Sequence, residues 1–390
     1  MKILVLRLFY IGDVVFTGPA LRLLRRRLPG ARIDLLVQRW TAPVAERLPG
    51  VDRVLTYEPG GAHRGPAGLL RLVRRLRAER YDAVLDLHGN LKAHFLGWAS
   101  GAPVRAGFST GRGGWLLTHR VPFREDRPIV DLLAGTAEVA VEALEGRLRP
   151  GWQTLPEDPG GAPGERRLSI RLDREERAAA RRTLAERLRP GGPVVLLQLG
   201  ANWPSKRWPV ERWAGLARLL MERLDARILL TGGPAEEAVQ REVLRLLGQP
   251  PEAPATPVRE GGGGVEEAGR VRVLPLAGRT SLRETAALAA ESDLVIAPDT
   301  GVLYLASAVG ARVVGLYGPT DPDRLGPLGE RGRALATRPS CWPCWSVDCP
   351  LGRNRCLADL EEAQVAEEAA TLLATPSALR NRGAGPGGGA

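Results

Sequence analysis

The sequence predicts two Rossmann-like α/β halves, each a parallel sheet covered by helices on both faces. Short apolar strand-like runs alternate with helix-periodic runs along most of the chain, the pattern of repeated βα units. A Pro/Gly-rich stretch at 149–164 interrupts the alternation, which then restarts. A length of 390 residues exceeds one ordinary core and suits two domains of about 150 to 200 residues.

In the first half, residues 2–8 read as a strand, 14–28 as a helix, 32–37 as a strand, 42–48 as a short helix and 51–56 as a strand. Residues 68–79 then carry helical periodicity and 83–87 form another apolar strand. The second half repeats the scheme, with strands at 194–199, 227–230, 271–276, 293–297 and 313–316. Helices fall between them at 210–224, 235–247, 282–291 and 302–309. The resulting domains are 1–160 and 161–375, followed by a disordered tail at 376–390. Within the second, the Pro-, Gly- and Glu-rich segment 248–269 reads as a disordered surface insertion, and the Gly-rich end 380–390 is expected to be disordered too.

Composition narrows the partners. No apolar run approaches the roughly 18 residues that span a bilayer, and the opening 1–15 is interrupted by Arg7 and Gly12-Asp13, unlike a secretory signal. A cytoplasmic location is expected. The net charge of +11 admits nucleic acid, anionic lipid or phosphorylated substrates. Aromatics do not interleave with the basic clusters Arg25-Arg26-Arg27 and 71–80 as a single-strand groove requires, which argues against nucleic acid. Those clusters read as solvated helix faces or as contacts with an anionic membrane surface. Of 55 basic residues only Lys2, Lys92 and Lys206 are lysine, so a lysine in a loop stands out.

The motif Asp299-Thr300-Gly301 separates the apolar run 294–297 from the helical run 302–309. A buried strand that turns at once into a helix brings a carboxylate, a hydroxyl and free backbone N–H groups to one point, and such a point attracts phosphate. Gly301 is read as allowing a ligand to approach the backbone. A second junction follows strand 194–199, where Asn202-Trp203-Pro204-Ser205-Lys206-Arg207 leads into a helix. Two anion-facing loops in one half indicate a bound diphosphate. A dinucleotide dehydrogenase needs Gly-x-Gly-x-x-Gly after the first strand, but that turn holds only Gly12. A Walker-type phosphate loop is absent as well.

The opening Ile3 to Leu8 with Ile11-Gly12-Asp13-Val14-Val15 and Thr17-Gly18-Pro19, the turn Asp86-Leu87-His88-Gly89-Asn90, the 202–209 loop, the 276–284 segment, Asp299-Thr300-Gly301 and Tyr317-Gly318-Pro319-Thr320-Asp321-Pro322 together resemble the ADP-heptose:lipopolysaccharide heptosyltransferases, glycosyltransferase family 9. The matches run in order from residue 1 to about 360. The resemblance implies a GT-B architecture, with an acceptor-binding first domain, a nucleotide-sugar-binding second domain and a cleft between. It further implies inverting transfer of heptose from ADP-heptose to a lipid A-linked inner-core acceptor at the inner membrane face, with no cofactor required for transfer.

By the same resemblance Asp13 is the base that deprotonates the acceptor hydroxyl; by local sequence it could instead cap the helix starting at Val14. Lys206 neutralises the departing diphosphate, assisted by Ser205. Thr300 and Gly301 hold phosphate oxygens, and Asp299 accepts bonds from sugar hydroxyls or caps its helix. Glu236, or its neighbour Glu237, takes the ribose, and the segment holding Thr280 and Ser281 lines the adenine pocket.

Several positions depart from the family pattern: His88 for glutamine, Gln198-Leu199 for His-Pro, Val302-Leu303 for Pro-Met and Tyr304 for histidine. They surround the expected sugar, so a related transferase using another nucleotide-sugar is the alternative. The four cysteines, Cys341, Cys344, Cys349 and Cys356, fall in one short stretch in a pattern similar to one common in that family. In a cytoplasmic protein their spacing suits a structural zinc clip or reduced thiols better than disulfides or an iron–sulfur cluster.

Overall fold

The structure is a computed structural model that describes residues 1–157, 166–250, 270–326 and 331–375. The expected tail, and all but the first three residues of the expected insertion, lie outside the described residues.

The first half runs β1 (Lys2–Leu6), α1 (Ile11–Phe16), α2 (Gly18–Arg27), β2 (Arg32–Gln38), α3 (Ala42–Ala45), β3 (Arg53–Tyr57), α4 (Gly65–Ala78), β4 (Ala83–Asp86), α5 (Leu91–Ala99), β5 (Val104–Phe108), β6 (His119–Val121), α6 (Ile129–Leu144) and β7 (Gly151–Trp152). Its strands pair in the order β3-β2-β1-β4-β5-β6-β7, all parallel. β1 lies inside the sheet between β2 and β4, with Val5 level with Leu35 and Leu85. Its run Ile3-Leu4-Val5-Leu6 is completely buried, as expected of a parallel strand covered on both faces.

The second half runs α7 (Arg174–Arg187), β8 (Val194–Gln198), α8 (Val210–Leu224), β9 (Arg227–Thr231), α9 (Glu237–Leu246), β10 (Val273–Pro275), α10 (Leu282–Glu291), β11 (Leu294–Pro298), α11 (Gly301–Ala308), β12 (Val313–Leu316), α12 (Pro322–Leu325), β13 (Gly332–Leu335), α13 (Arg355–Ala358) and α14 (Glu362–Ala374). Its sheet order β10-β9-β8-β11-β12-β13 repeats the first topology. In each sheet the strand order reverses beside the first strand, at β1/β4 and at β8/β11, where ligands of open α/β sheets bind.

The helix expected over 14–28 is instead two helices, broken at Thr17. Pro19 sits in the first turn of α2, where its missing N–H costs nothing, and so starts a new helix. The first of the pair begins at Ile11, so Asp13 lies inside the first turn of α1 and is not its cap; the cap position is Tyr10, with no side-chain bond. The two halves share a core in which Val14, Val15 and Phe16 of α1 join Leu303, Tyr304 and Leu305 of α11. At the edge of this contact Arg47, just past α3, meets Asp173 at 2.7 Å and Glu176 at 3.3 Å.

Candidate active site

Helices α1 and α11, each with a glycine in its first turn, meet at their N-termini. A Cβ at Gly301 would lie 2.6 Å from Ile11 Cβ, and one at Gly12 would lie 2.9 Å from the Tyr304 ring. Gly301 is therefore needed for the approach of α1, a packing reason beside the ligand-approach reason read from the sequence. Above this crossing opens a cleft of about 380 Å³ lined by Asp13 and Phe16 from one half and by Lys206, Glu236, Thr300 and Tyr304 from the other.

On the first wall, Arg7 at the end of β1 turns its buried guanidinium onto Asp13. One nitrogen lies 2.5 Å from Asp13 Oδ1, Nε donates to the Asp13 carbonyl, and the other nitrogen donates to the Leu87 carbonyl. The Asp13 carboxylate is thus fixed in orientation while its side chain stays partly exposed. Beside it, Asp86 Oδ1 accepts the backbone N–H groups of His88 and Gly89, and Oδ2 lies 2.7 Å from His94 Nδ1. Asn90 Oδ1 accepts from the Ala93 N–H, which turns its amide nitrogen to within 2.7 Å of His88 Nε2. His88 Nε2 is then the acceptor and Nδ1 carries the proton. Burial, then the Arg7 charge, pushes the His88 imidazole down to about 4, so it is neutral near pH 7.

On the second wall, β11 ends in Asp299, which is only 3% exposed. Its Oδ2 accepts from Lys206 Nζ and from Thr320 Oγ1, each at 2.6 Å, and its Oδ1 accepts from the Tyr304 hydroxyl. Burial and the Asp299 charge push the Tyr304 phenol far above its ordinary range, so it remains a donor. Lys206 closes the turn after β8, with Nζ 4.4 Å from the centre of the Trp203 ring. Three of the roughly four acceptor positions of the carboxylate are filled by the protein. Asp299 thus neither caps α11, where Thr300 holds the cap position, nor presents a free carboxylate to a sugar; it anchors Lys206.

Thr300 lines the cleft with a buried hydroxyl that has no partner. Glu236 lines it too, with Oε2 accepting the Gly233 N–H at 2.8 Å. Its stem fills the space that a side chain at Gly200 or Gly232 would need. Glu237 lies instead against Gly278, outside this lining.

Three expected donor-site residues lie apart from this lining. Ser205 is buried, and its hydroxyl donates to the Ser346 carbonyl at 2.6 Å. Ser281 caps α10 in a reciprocal pair with Glu284, and the Thr280 hydroxyl bonds that of Thr285. From that segment Leu282 reaches the cleft. These short hydroxyls satisfy local backbone and helix-end groups first.

The four cysteines are free thiols that share a cavity of about 80 Å³. Thiolates at this spacing have the chemistry of a zinc site, but among the described residues no three Cys, His, Asp or Glu side chains converge in a group able to hold a metal. The donor set as placed does not fit the zinc clip expected from its spacing. Burial opposes ionisation of Cys349, but the surrounding backbone N–H groups, Asn354 foremost, outweigh it and lower that thiol. Burial pushes Cys356 up to about 11.

Arg7, Tyr10, Phe16, Trp40 and Trp203 were not assigned to the site from sequence. The signal available for Arg7 was its place at the end of the first strand, directly before the Gly12-Asp13 turn.

Two Rossmann-like halves facing one another across a cleft define the GT-B architecture. The sequence profile of glycosyltransferase family 9 (heptosyltransferase) matches residues 69–354, and the chain belongs to this family. It is 28% identical to lipopolysaccharide heptosyltransferase 1 of Pseudomonas aeruginosa over 97% of this chain and 100% of that one. With lipopolysaccharide heptosyltransferase 2 of Escherichia coli K12 it shares 26% identity over 96% and 99%. The solved structure of E. coli ADP-heptose lps heptosyltransferase II superposes with a TM-score of 0.71 at 23% identity, covering 96% of this chain and 98% of that one. That of E. coli heptosyltransferase WaaC with ADP gives 0.63 at 22%, covering 95% and 100%.

Proposed function

We propose that this protein is an inverting heptosyltransferase that moves heptose from ADP-heptose to a lipid-linked inner-core acceptor of lipopolysaccharide. The observation that carries the reading is the placement of Asp13 and Lys206 in the lining of one cleft, each held by a buried partner, Arg7 and Asp299. Family membership and the names of the full-length relatives supply the sugar and the acceptor.

In this mechanism Asp13 takes the proton of the acceptor hydroxyl as its oxygen attacks the anomeric carbon, and the bond to the diphosphate breaks on the opposite face. Arg7 keeps the carboxylate aimed. Charge accumulates on the leaving diphosphate, where Lys206 meets it; the cation is drawn from Asp299 toward the new anion and stabilises the transition state more than the ground state. The unpartnered Thr300 hydroxyl and the first N–H groups of α11 donate to the phosphate oxygens. Glu236 takes the ribose hydroxyls through the carboxylate oxygen that Gly233 leaves free.

Among the described residues no helix is long and apolar enough to cross a membrane. Contact with the anionic membrane surface would come from α4, whose Arg71, Arg74, Arg75 and Arg77 are exposed and pair with no carboxylate among the described residues. Trp98 of α5, 51% exposed, lines one surface pocket with Arg77, and a tryptophan beside an arginine suits the interfacial zone. Arg25 and Arg27 differ, because Asp52, Glu138 and Glu145 engage them.

The test is incubation with ADP-heptose and a heptose-deficient lipopolysaccharide, read by mass spectrometry. A gain of one heptose with release of ADP is expected. Turnover with a UDP- or GDP-sugar and none with ADP-heptose would replace the donor assignment.

A further inference from the structure

Tyr10 and Trp40 line the cleft and Phe9 adjoins Tyr10, and all three large aromatic side chains are exposed. Phe9 is 43% exposed, Tyr10 47% and Trp40 44%. The rings of Phe9 and Tyr10 stack within 5° of parallel with centres 5.7 Å apart, and Tyr10 meets Trp40 at 6.3 Å. Adjoining exposed aromatic rings beside a cleft suit a surface that a ligand covers.

The cluster is held as one unit. Gln38 accepts the Trp40 indole N–H on Oε1 at 2.9 Å and donates from Nε2 to the Leu8 carbonyl at 2.7 Å. One side chain therefore ties Trp40, which follows β2, to the loop after β1 that carries Phe9 and Tyr10. Behind them the neutral His88 ring packs on Phe9 with centres 4.0 Å apart. Such preorganisation lowers the ordering cost of binding.

Position selects the ligand. Tyr10 and Trp40 line the same cleft as Asp13, which sits three residues after Tyr10, whereas the phosphate-facing groups lie on the other wall. Whatever covers these rings lies next to the base and away from the diphosphate. One face of a pyranose presents C–H bonds polarised by the ring oxygens, and such a face lies well on the electron-rich face of an aromatic ring. Tyr and Trp also offer a polar edge to flanking hydroxyls.

We propose that Phe9, Tyr10 and Trp40 form an aromatic platform that binds the acceptor sugar ring by its apolar face and presents one hydroxyl to Asp13. This rests on the transferase reading above, with the platform as the acceptor subsite. Losing one stacked ring weakens acceptor binding by about tenfold, the equivalent of one aromatic contact.

The test compares wild type with Trp40→Leu, Tyr10→Leu and Trp40→Phe, using ADP-heptose and a de-acylated inner-core oligosaccharide as acceptor, with ADP binding measured by calorimetry for each protein. The leucine variants are expected to raise the acceptor KM about tenfold while leaving ADP affinity and donor KM unchanged, and Trp40→Phe is expected to recover most of the loss. An unchanged acceptor KM, or a parallel rise in donor KM, would overturn the platform. So would an effect seen with acylated acceptor in vesicles but absent with the de-acylated one, since the rings would then contact lipid. Absence of ADP binding and turnover in the wild type would instead overturn the transferase reading itself.

Discussion

Lys206 Nζ lies 2.6 Å from Asp299 Oδ2, an ion pair in which the lysine side chain is 13% exposed and the aspartate 2%. The carboxylate is one that Thr320 and Tyr304 already hold. The cation is therefore in position before any diphosphate arrives, and its partner cannot turn away.

Replacing Lys206 by alanine removes the counter-charge on both accounts. The variant is expected to bind ADP much more weakly, to turn over slowly and to lose about 3 kcal/mol of stability, because Asp299 is left buried without its cation. Arg207, whose Nε donates to the Ala201 carbonyl, should matter less for ADP binding. Calorimetry on Lys206→Ala and Arg207→Ala distinguishes them; equal losses would mean diffuse basic attraction.

Tyr304 takes the position where the family pattern has histidine. Its hydroxyl serves Asp299, and its ring lies 4.4 Å, centre to centre, from Phe16 across the two halves. Tyr304→Phe keeps the packing and removes one charge-assisted hydrogen bond. We expect a stability loss of about 2 kcal/mol and a lower kcat with little change in acceptor KM. Unchanged melting and kinetics would show that Asp299 holds Lys206 without it.

Gly301→Ala should lower stability by about 2 kcal/mol, since the new methyl group would meet Ile11 Cβ and, at 3.2 Å, the Gly12 nitrogen. Gly18→Ala provides the control, because the nearest atom to its new carbon is the end of Arg22 at 3.7 Å. Thermal melts of both variants check the contrast; equal melting would remove the packing role of Gly301.

The His88 imidazole titrates at about 4 in the folded chain against 6.5 ordinarily, through burial first and the Arg7 charge second. Between those values the unfolded chain holds the extra proton, so stability rises with pH across the window. The contribution is fully present above pH 6.5 and is lost as pH falls through about 4. His88→Gln should flatten the stability profile between those limits in urea titrations. An unchanged slope would show that His88 titrates normally.

In the second half β8 to β12 and α8 to α11 were legible, because each of those strands is a short continuous apolar run closed by turn residues, whereas β13, α7 and α12 to α14 were not read. The helix over 282–291 and the strand over 313–316 match α10 and β12 end for end. The late first half was not read: α6 is buried along most of its length, from Ile129 to Val141, so it lacks the polar stripe that marks a surface helix. β6 and β7 are three and two residues long, too short for an alternation to show. In the site, Asp13, Lys206, Glu236 and Thr300 were legible as chemical types at strand–helix junctions. The capture of Asp299 by Tyr304 and Thr320, and the diversion of Ser205 to the Ser346 carbonyl, depend on packing between segments far apart in sequence. No local pattern encodes them.

The central claim is that the base and the diphosphate site belong to opposite walls of one cleft, and Asp13→Asn tests it most directly. Calorimetry with ADP and turnover with ADP-heptose and acceptor would be measured on the same preparation. ADP affinity within error of wild type, with turnover reduced about a hundredfold or more, is the predicted result. Retained turnover, or a loss of ADP binding that accounts for the loss of activity, would contradict it.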